Sequence, residues 1–308
     1  FEGNAQSFRI VTKLEPHHPD YRGLDLTRST LNGLLKYPFP RYGGPQRNLK
    51  FGFYAESEEL DFEFARADEP SSRHRSLEAE IMDFADDVTF AVHDTEDFYR
   101  AGMVPLHELH PYNGSELARF VDSIQRRWEE QGREPVDDWE GHVEALEEVL
   151  SNLVSVNVAY RGSQEERVAL RVAAGGIIGD YVVHGIRVTS SETGRRVSIH
   201  PAIQMQIKML KELVWEYVID RPSLATQQAG HKAVIEGLFK HFEKALDTGR
   251  LQLLPPQFHE LVRNRDVAKE PNERLAADMV CSLTDRQALV LYRRITGLDP
   301  GAMAPFAF

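Results

Sequence analysis

A single cysteine, Cys281, occurs among 308 residues, so the chain cannot close an internal disulfide. Its stability must come from a packed core, and the cysteine usage suits a reducing, cytoplasmic setting. Long apolar runs are also missing. The least polar stretch, residues 168–183, is interrupted by Arg171 and Asp180, which excludes a membrane-spanning helix. Basic residues are the minority, with 36 Lys and Arg against 48 Asp and Glu and a formal net charge of −12. That balance disfavours a broadly basic nucleic-acid surface but leaves room for a local basic pocket.

Several catalytic signatures are absent as well. There is no Walker loop, no G-x-G-x-x-G and no G-x-S-x-G. Neither H-x-x-x-H nor C-x-x-C occurs; His17 and His18 lie in a proline-flanked stretch, and His107 and His110 lie between Pro105 and Pro111. The glycines Gly175, Gly176 and Gly179 fall inside helical periodicity with no preceding strand, so their expected use is close helix packing. The chain opens on Phe1 without the charged and apolar regions of a signal peptide. Phe1-Glu2-Gly3-Asn4 reads as the interior of a domain, and the expectation is the larger, C-terminal part of a longer protein.

What remains is mostly helical periodicity. Helices are expected over residues 4–14, 27–35, 77–99, 114–131, 139–156, 166–182, 202–219, 224–246, 253–261, 272–282 and 285–296. Thr284 is placed to cap the last of these. Residues 37–48, with three prolines and two adjacent glycines, read as a loop. Residues 186–199 differ: β-favouring residues flank Glu192-Thr193-Gly194, the pattern of a hairpin. The fold class is therefore mainly α with one small β-hairpin. A division into residues 1–105, 106–200 and 201–308 is expected, with the hairpin in the middle region.

The helix over 77–99 is the most informative. Leu77, Ile81, Phe84, Ala85, Val88, Ala91 and Val92 trace an apolar stripe, while Asp83, Asp86, Asp87, Asp94, Glu96 and Asp97 ride on the same helix. Asp86, Phe90 and Asp94 are spaced i, i+4, i+8, which sets them along one side. A carboxylate in this position can close a divalent metal site begun elsewhere; a solvated acidic face is the bland reading, and spacing alone favours the latter. Adjacent residues such as His93 and Asp94 point about 100° apart and have no third ligand nearby in sequence.

Four segments together carry a resemblance. They are residues 1–10 (FEGNAQSFRI), 23–38 (GLDLTRSTLNGLLKYP), 77–94 (LEAEIMDFADDVTFAVHD) and 277–288 (ADMVCSLTDRQA). Matching in order and spanning nearly the whole chain, they resemble the bacterial dGTPase-type deoxynucleoside triphosphate triphosphohydrolases of the HD-domain superfamily. The resemblance implies the helical HD-domain fold, with residues 1–105 forming the remaining half of its catalytic core. It implies hydrolysis of a dNTP to deoxynucleoside and intact triphosphate, dGTP being a candidate for the preferred substrate.

The same resemblance assigns site residues. Asp86, first of the paired aspartates, matches a ligand of a divalent metal, Mg²⁺ or Mn²⁺. Asp94 matches a carboxylate near the nucleotide sugar, and Phe90 falls where the family usually has a tyrosine that contacts substrate. Glu2 is a candidate catalytic neighbour, Asn4 and Arg221 are candidate substrate contacts, and structural roles compete for all three. The family's other metal ligands, one His and a His-Asp pair, lie before the segment matched by residues 1–10. By ligand count the chain alone is expected to be inactive. A homo-oligomer with dNTP effectors is implied; single-stranded DNA is not indicated. Two other readings stay open: a catalytically silent nucleotide-binding regulator, and an HD phosphohydrolase of another phosphorylated substrate.

Overall fold

A computed structural model of the chain describes residues 1–15, 17–41, 50–67, 73–109, 114–132, 138–153, 159–191, 194–263 and 270–299. The chain packs as two compact units. One comprises residues 1–74 together with 226–308, and the other residues 75–225.

The first unit is built from both ends of the chain. Helix α1 (Gly3–Arg9) widens into a π-turn over Ile10–Leu14, followed by α2 (Arg28–Leu34) and α3 (Ala55–Ala65). The chain returns along α9 (Pro222–Asp247), which belongs to this unit from Thr226 onward, and continues through α10 (His259–Arg263), α11 (Asn272–Cys281) and α12 (Asp285–Ile295). Leu238, Phe242, Leu275 and Met279 form one apolar cluster; Phe8, Leu31, Leu35, Phe53 and Phe62 form another.

A charged network joins the two chain segments of this unit. The guanidinium of Arg9, 1% exposed, donates from Nε to both oxygens of Asp278 at 3.0 and 2.9 Å and from Nη1 to Glu58 at 2.7 Å. Glu270 is a further partner. Gln6 donates to Asp278 at 3.0 Å, and Arg274 reaches the same carboxylate at 2.9 Å. Burial opposes the charge of Arg9, but Asp278 and then Glu270 more than offset it, so its pKa is raised.

The second unit contains α4 (Leu77–Arg100), α5 (Ser115–Glu130), α6 (Trp139–Asn152), α7 (Gln164–His184), the hairpin β1 (Ile186–Ser191) and β2 (Gly194–Ile199), and α8 (Pro201–Val214), which ends in a π-turn over Trp215–Ile219. The strands pair antiparallel, Ile186 opposite Ile199 and Ser191 opposite Gly194. One core runs through the unit, including Phe84, Val88, Phe120, Leu146, Leu170 and Leu210. The fold is mainly α with one small hairpin, as the periodicity implies.

Departures from expectation have local causes. Helix α3 is not among the expected helices and shows no clean apolar stripe, because Glu58 occupies a wholly buried position while Leu60 and Phe64 face solvent. The helix expected over 253–261 is instead two 3₁₀ turns and the short α10, because Pro255 and Pro256 interrupt it. Thr284 caps α12 in a capping box with Gln287. The packing use expected of Gly175, Gly176 and Gly179 is not found: a Cβ on any of them would meet nothing within 4 Å. Close approach is needed at Gly237 of α9, where a Cβ would lie 2.4 Å from the Tyr292 ring of α12. The turn residues Glu192 and Thr193, the predicted loop beyond Arg41, His110 and the last three residues of the helix expected over 139–156 lie outside the described residues.

Removing a partner from a buried charge network strands the rest, at a typical cost of ~3–5 kcal/mol. Arg9→Met is therefore expected to lower unfolding stability by about that much in urea titrations. A loss below about 1 kcal/mol would mean that the network is not a stabilising link.

Candidate functional site

Helix α4 supports the candidate site. Ser76 caps it by accepting a hydrogen bond from the Ala79 amide at 3.1 Å, and Glu78 and Glu80 favour its positive N-terminal end. Ala79, Phe84, Val88, Ala91, Val92, Thr95 and Tyr99 make the buried side. The expected stripe needs correction at Ile81, which is 39% exposed, and at Ala85, which is also exposed. The i+4, i+7, i+8 continuation from Phe84 is the series that reaches the core. Two anchors orient the helix: Arg75 pairs with Asp83 at 2.5 Å, and Glu80 accepts from the Arg196 guanidinium at 2.8 Å and the Val197 amide at 2.7 Å.

With that side buried, Asp86 and Phe90 face solvent and Asp94 is half-buried, so the three sit along one accessible flank. Helix α8 adds a group that the periodicity of α4 does not announce. Its Lys211 ammonium lies 2.5 Å from Asp87 and 5.8 Å from the centre of the Phe90 ring. Both members of the Lys211–Asp87 pair are about a third or more exposed, and such a pair is worth little, so the ammonium can be turned toward an incoming anion at small cost. The flank thus offers carboxylates, an aromatic face and one adjustable cation.

Asp94 is held above the ordinary carboxylate range, first by burial and then by Asp97, with His93 acting in the opposite sense. His93 itself is exposed and turned toward Glu96, 3.6 Å away. The neighbours His93 and Asp94 therefore do not converge on one point.

The other candidates have local engagements. Arg221 donates to the Met103 carbonyl at 2.7 Å, fastening the turn that follows α4. Glu2, 5% exposed, caps α1 by accepting from the amides of Asn4 and Ala5 at 2.6 and 3.1 Å. It also accepts from the Asn4 side chain at 2.8 Å and pairs with Lys50 at 3.3 Å. Glu2 and Asn4 belong to the first compact unit, and Asp86, Phe90, Asp94 and Arg221 to the second.

A metal ion fits this chain's described residues poorly. No group of three or more His, Cys, Asp or Glu side chains suited to a metal ion occurs among them. Asp86 offers one exposed carboxylate, and a lone carboxylate holds a divalent ion weakly.

Comparison with known proteins places the chain. Residues 197–294 match a family model described as a phosphohydrolase-associated domain. A deoxyguanosinetriphosphate triphosphohydrolase-like protein of Streptomyces coelicolor is 31% identical over 96% of this chain and 70% of its own length. A protein of the same description from Corynebacterium efficiens is 30% identical over 97% and 70%, and one from Wolinella succinogenes 27% over 96% and 69%. Among the described residues no helix is long and apolar enough to cross a membrane.

The raised pKa of Asp94 has a definite sign for stability. Below the ordinary carboxylate value, about 3.8, folded and unfolded forms are both protonated and burial carries no electrostatic cost. As pH rises through the higher folded pKa, the folded form must ionise a disfavoured group and stability is lost. Asp94→Asn is expected to melt at a higher temperature than the parent at pH 7, with the gap closing by pH 3. An equal gap at both pH values would rule out this account of Asp94.

Proposed function

The chain belongs to the family of deoxyguanosinetriphosphate triphosphohydrolase-like proteins, and on that ground we propose that it takes part in hydrolysing deoxynucleoside triphosphates to deoxynucleoside and intact triphosphate. The coarser statement, membership of a phosphohydrolase family, rests on the matched segment and on relatives aligned over nearly the whole chain. The observation that carries the finer reading is the accessible α4 flank, where Asp86, Phe90 and Asp94 share one side and Lys211 arrives from α8.

In this reading each group has a separate task. Lys211 meets the phosphate chain, exchanging the Asp87 carboxylate for a phosphate oxygen. The Phe90 ring borders the sugar with an apolar face, and Asp94 accepts a hydrogen bond from the deoxyribose. Asp86 is proposed as one ligand of a Mg²⁺ or Mn²⁺ ion. Water adds to the α-phosphorus and the bond to the 5′ oxygen breaks, releasing the triphosphate as one piece. The described residues of this chain do not complete an ion site.

One observation favours a second reading. Phe90 lacks the hydroxyl of the tyrosine usual at that position in the family the sequence resembles, which would suit a protein that binds dNTPs without turning them over.

The complete gene product, incubated with each dNTP and Mn²⁺ or Mg²⁺, separates the readings by anion-exchange analysis of products. Deoxynucleoside and triphosphate in equal amounts are expected, lost in Asp86→Ala and on chelation with EDTA. Diphosphate or monophosphate products would move the protein to another phosphohydrolase reaction, and saturable binding without turnover would make it a sensor. Because a charge-assisted hydrogen bond contributes roughly 1.5–3 kcal/mol, Lys211→Gln should raise KM about tenfold or more with a smaller change in kcat. An unchanged KM would remove Lys211 from the phosphate site.

A further inference from the structure

A cleft of about 280 Å³ opens in the second unit between the C-terminal end of α4 and the first half of α7. Three guanidinium groups line it: Arg100 from α4, and Arg167 and Arg171 from α7. Leu170, 1% exposed, ties this stretch of α7 to the core, and Gln164 and Glu96 complete the polar wall. Along α4, Arg100 stands 14 residues beyond Asp86, which is about 21 Å of helix rise, so the two positions are not one site.

The charges here are unusual for this chain. Arg167 and Arg171 are spaced i, i+4, an arrangement in which like charges repel, and neither side chain has an ion-pair or hydrogen-bond partner among the described residues. Arg100 pairs with Asp97 at 3.2 Å and more distantly with Glu96 at 4.0 Å, both within its own helix and partly exposed. Those pairings are weak enough to be exchanged. Glu96, the one carboxylate in the wall, is also engaged by His93 at 3.6 Å. A chain with a net charge of −12 thus gathers three cations, two of them without partners, around one concavity.

Planar guanidinium groups bind phosphate oxygens in pairs, and several converging on a cleft suit an anion with many oxygens on a short chain. The volume lies just under the ~300–1,000 Å³ usual for sites that enclose a whole drug-sized ligand, so it suits the phosphates and not the body of a nucleotide. We propose that Arg100, Arg167 and Arg171 form a binding site for an oligophosphate group, either inorganic triphosphate or the phosphate tail of a nucleotide. A small anion is favoured over a nucleic-acid backbone because the basic groups gather at one cleft and do not track along a groove. The site does not depend on the hydrolytic reading, and binding is measurable whether or not the protein turns over substrate.

Calorimetric titration of the complete protein with inorganic triphosphate, in EDTA to prevent turnover, tests the site. Wild-type protein should bind triphosphate saturably, and Arg167→Gln/Arg171→Gln should weaken that binding tenfold or more. Both positions are exposed, so the far-UV and near-UV circular dichroism of the variant should match the parent. The Arg167→Lys/Arg171→Lys pair should retain part of the affinity, and the arginine-dependent loss should be the same in a Lys211→Gln background, which removes the phosphate contact proposed for the α4 flank. A parallel titration with dATP separates the two sources: equal affinity means that the phosphates alone are read, and tighter dATP binding that also needs the arginines means a nucleotide tail. Triphosphate binding in the Lys211→Gln background that the double Gln substitution does not weaken would overturn the proposal. So would arginine-dependent binding of a single-stranded oligonucleotide more tightly than triphosphate.

Discussion

Arg9 carries a full positive charge at a position 1% exposed, and the first compact unit is organised around satisfying it. The partners come from distant parts of the chain: Glu58 lies 49 residues away, and Asp278 is 269 residues away. A buried guanidinium left unpaired costs several kcal/mol, so α1, α3 and α11 are tied to the geometry that brings all its acids within reach. That requirement lets the two ends of the chain form one unit while residues 75–225 form another. Arg9 and Asp278 fall in the first and last of the four segments that resemble the dGTPase-type family. Those end segments therefore carry a structural link as well as a resemblance.

The second unit uses a different constraint. Its α4 is amphipathic over 24 residues, and burial of Phe84, Val88, Ala91, Val92, Thr95 and Tyr99 leaves Asp86, Phe90 and Asp94 turned outward. Apolar burial at about 25 cal/mol per Å² holds the helix, and the acidic flank is tolerated because the other side is well packed. Asp94 is the exception, since part of its ionisation cost is borne by the fold. Groups that weaken stability and face an accessible flank are candidates for function.

The sequence disclosed unequal amounts of this arrangement. The i, i+4, i+8 relation of Asp86, Phe90 and Asp94 follows from helix geometry within a single segment, and it reappears in the structure. Lys211 could not be associated with them in the same way, because its contact with Asp87 spans 124 residues and depends on how α8 packs beside α4. The arginine cleft shows a similar split. Arg167 and Arg171 are one turn apart in any helix, whereas the addition of Arg100 needs α7 laid against the end of α4. For Glu2, a motif position suggested chemistry, and the structure shows its carboxylate accepting the first amides of α1.

Local periodicity, capping residues and proline placement determined by themselves that this is a helical protein with one hairpin, because 3.6- and 2-residue repeats are properties of neighbouring residues. Thr284 and Gln287 set the start of α12 for the same reason. Tertiary structure alone decided which charges are neighbours. It placed Arg9 among Glu58, Glu270 and Asp278, set Lys211 beside Phe90, and left Gly175, Gly176 and Gly179 facing open space where packing had been expected. Electrostatic pairing and steric contact depend on distance in space, and a one-dimensional pattern contains that distance only over a few helical turns.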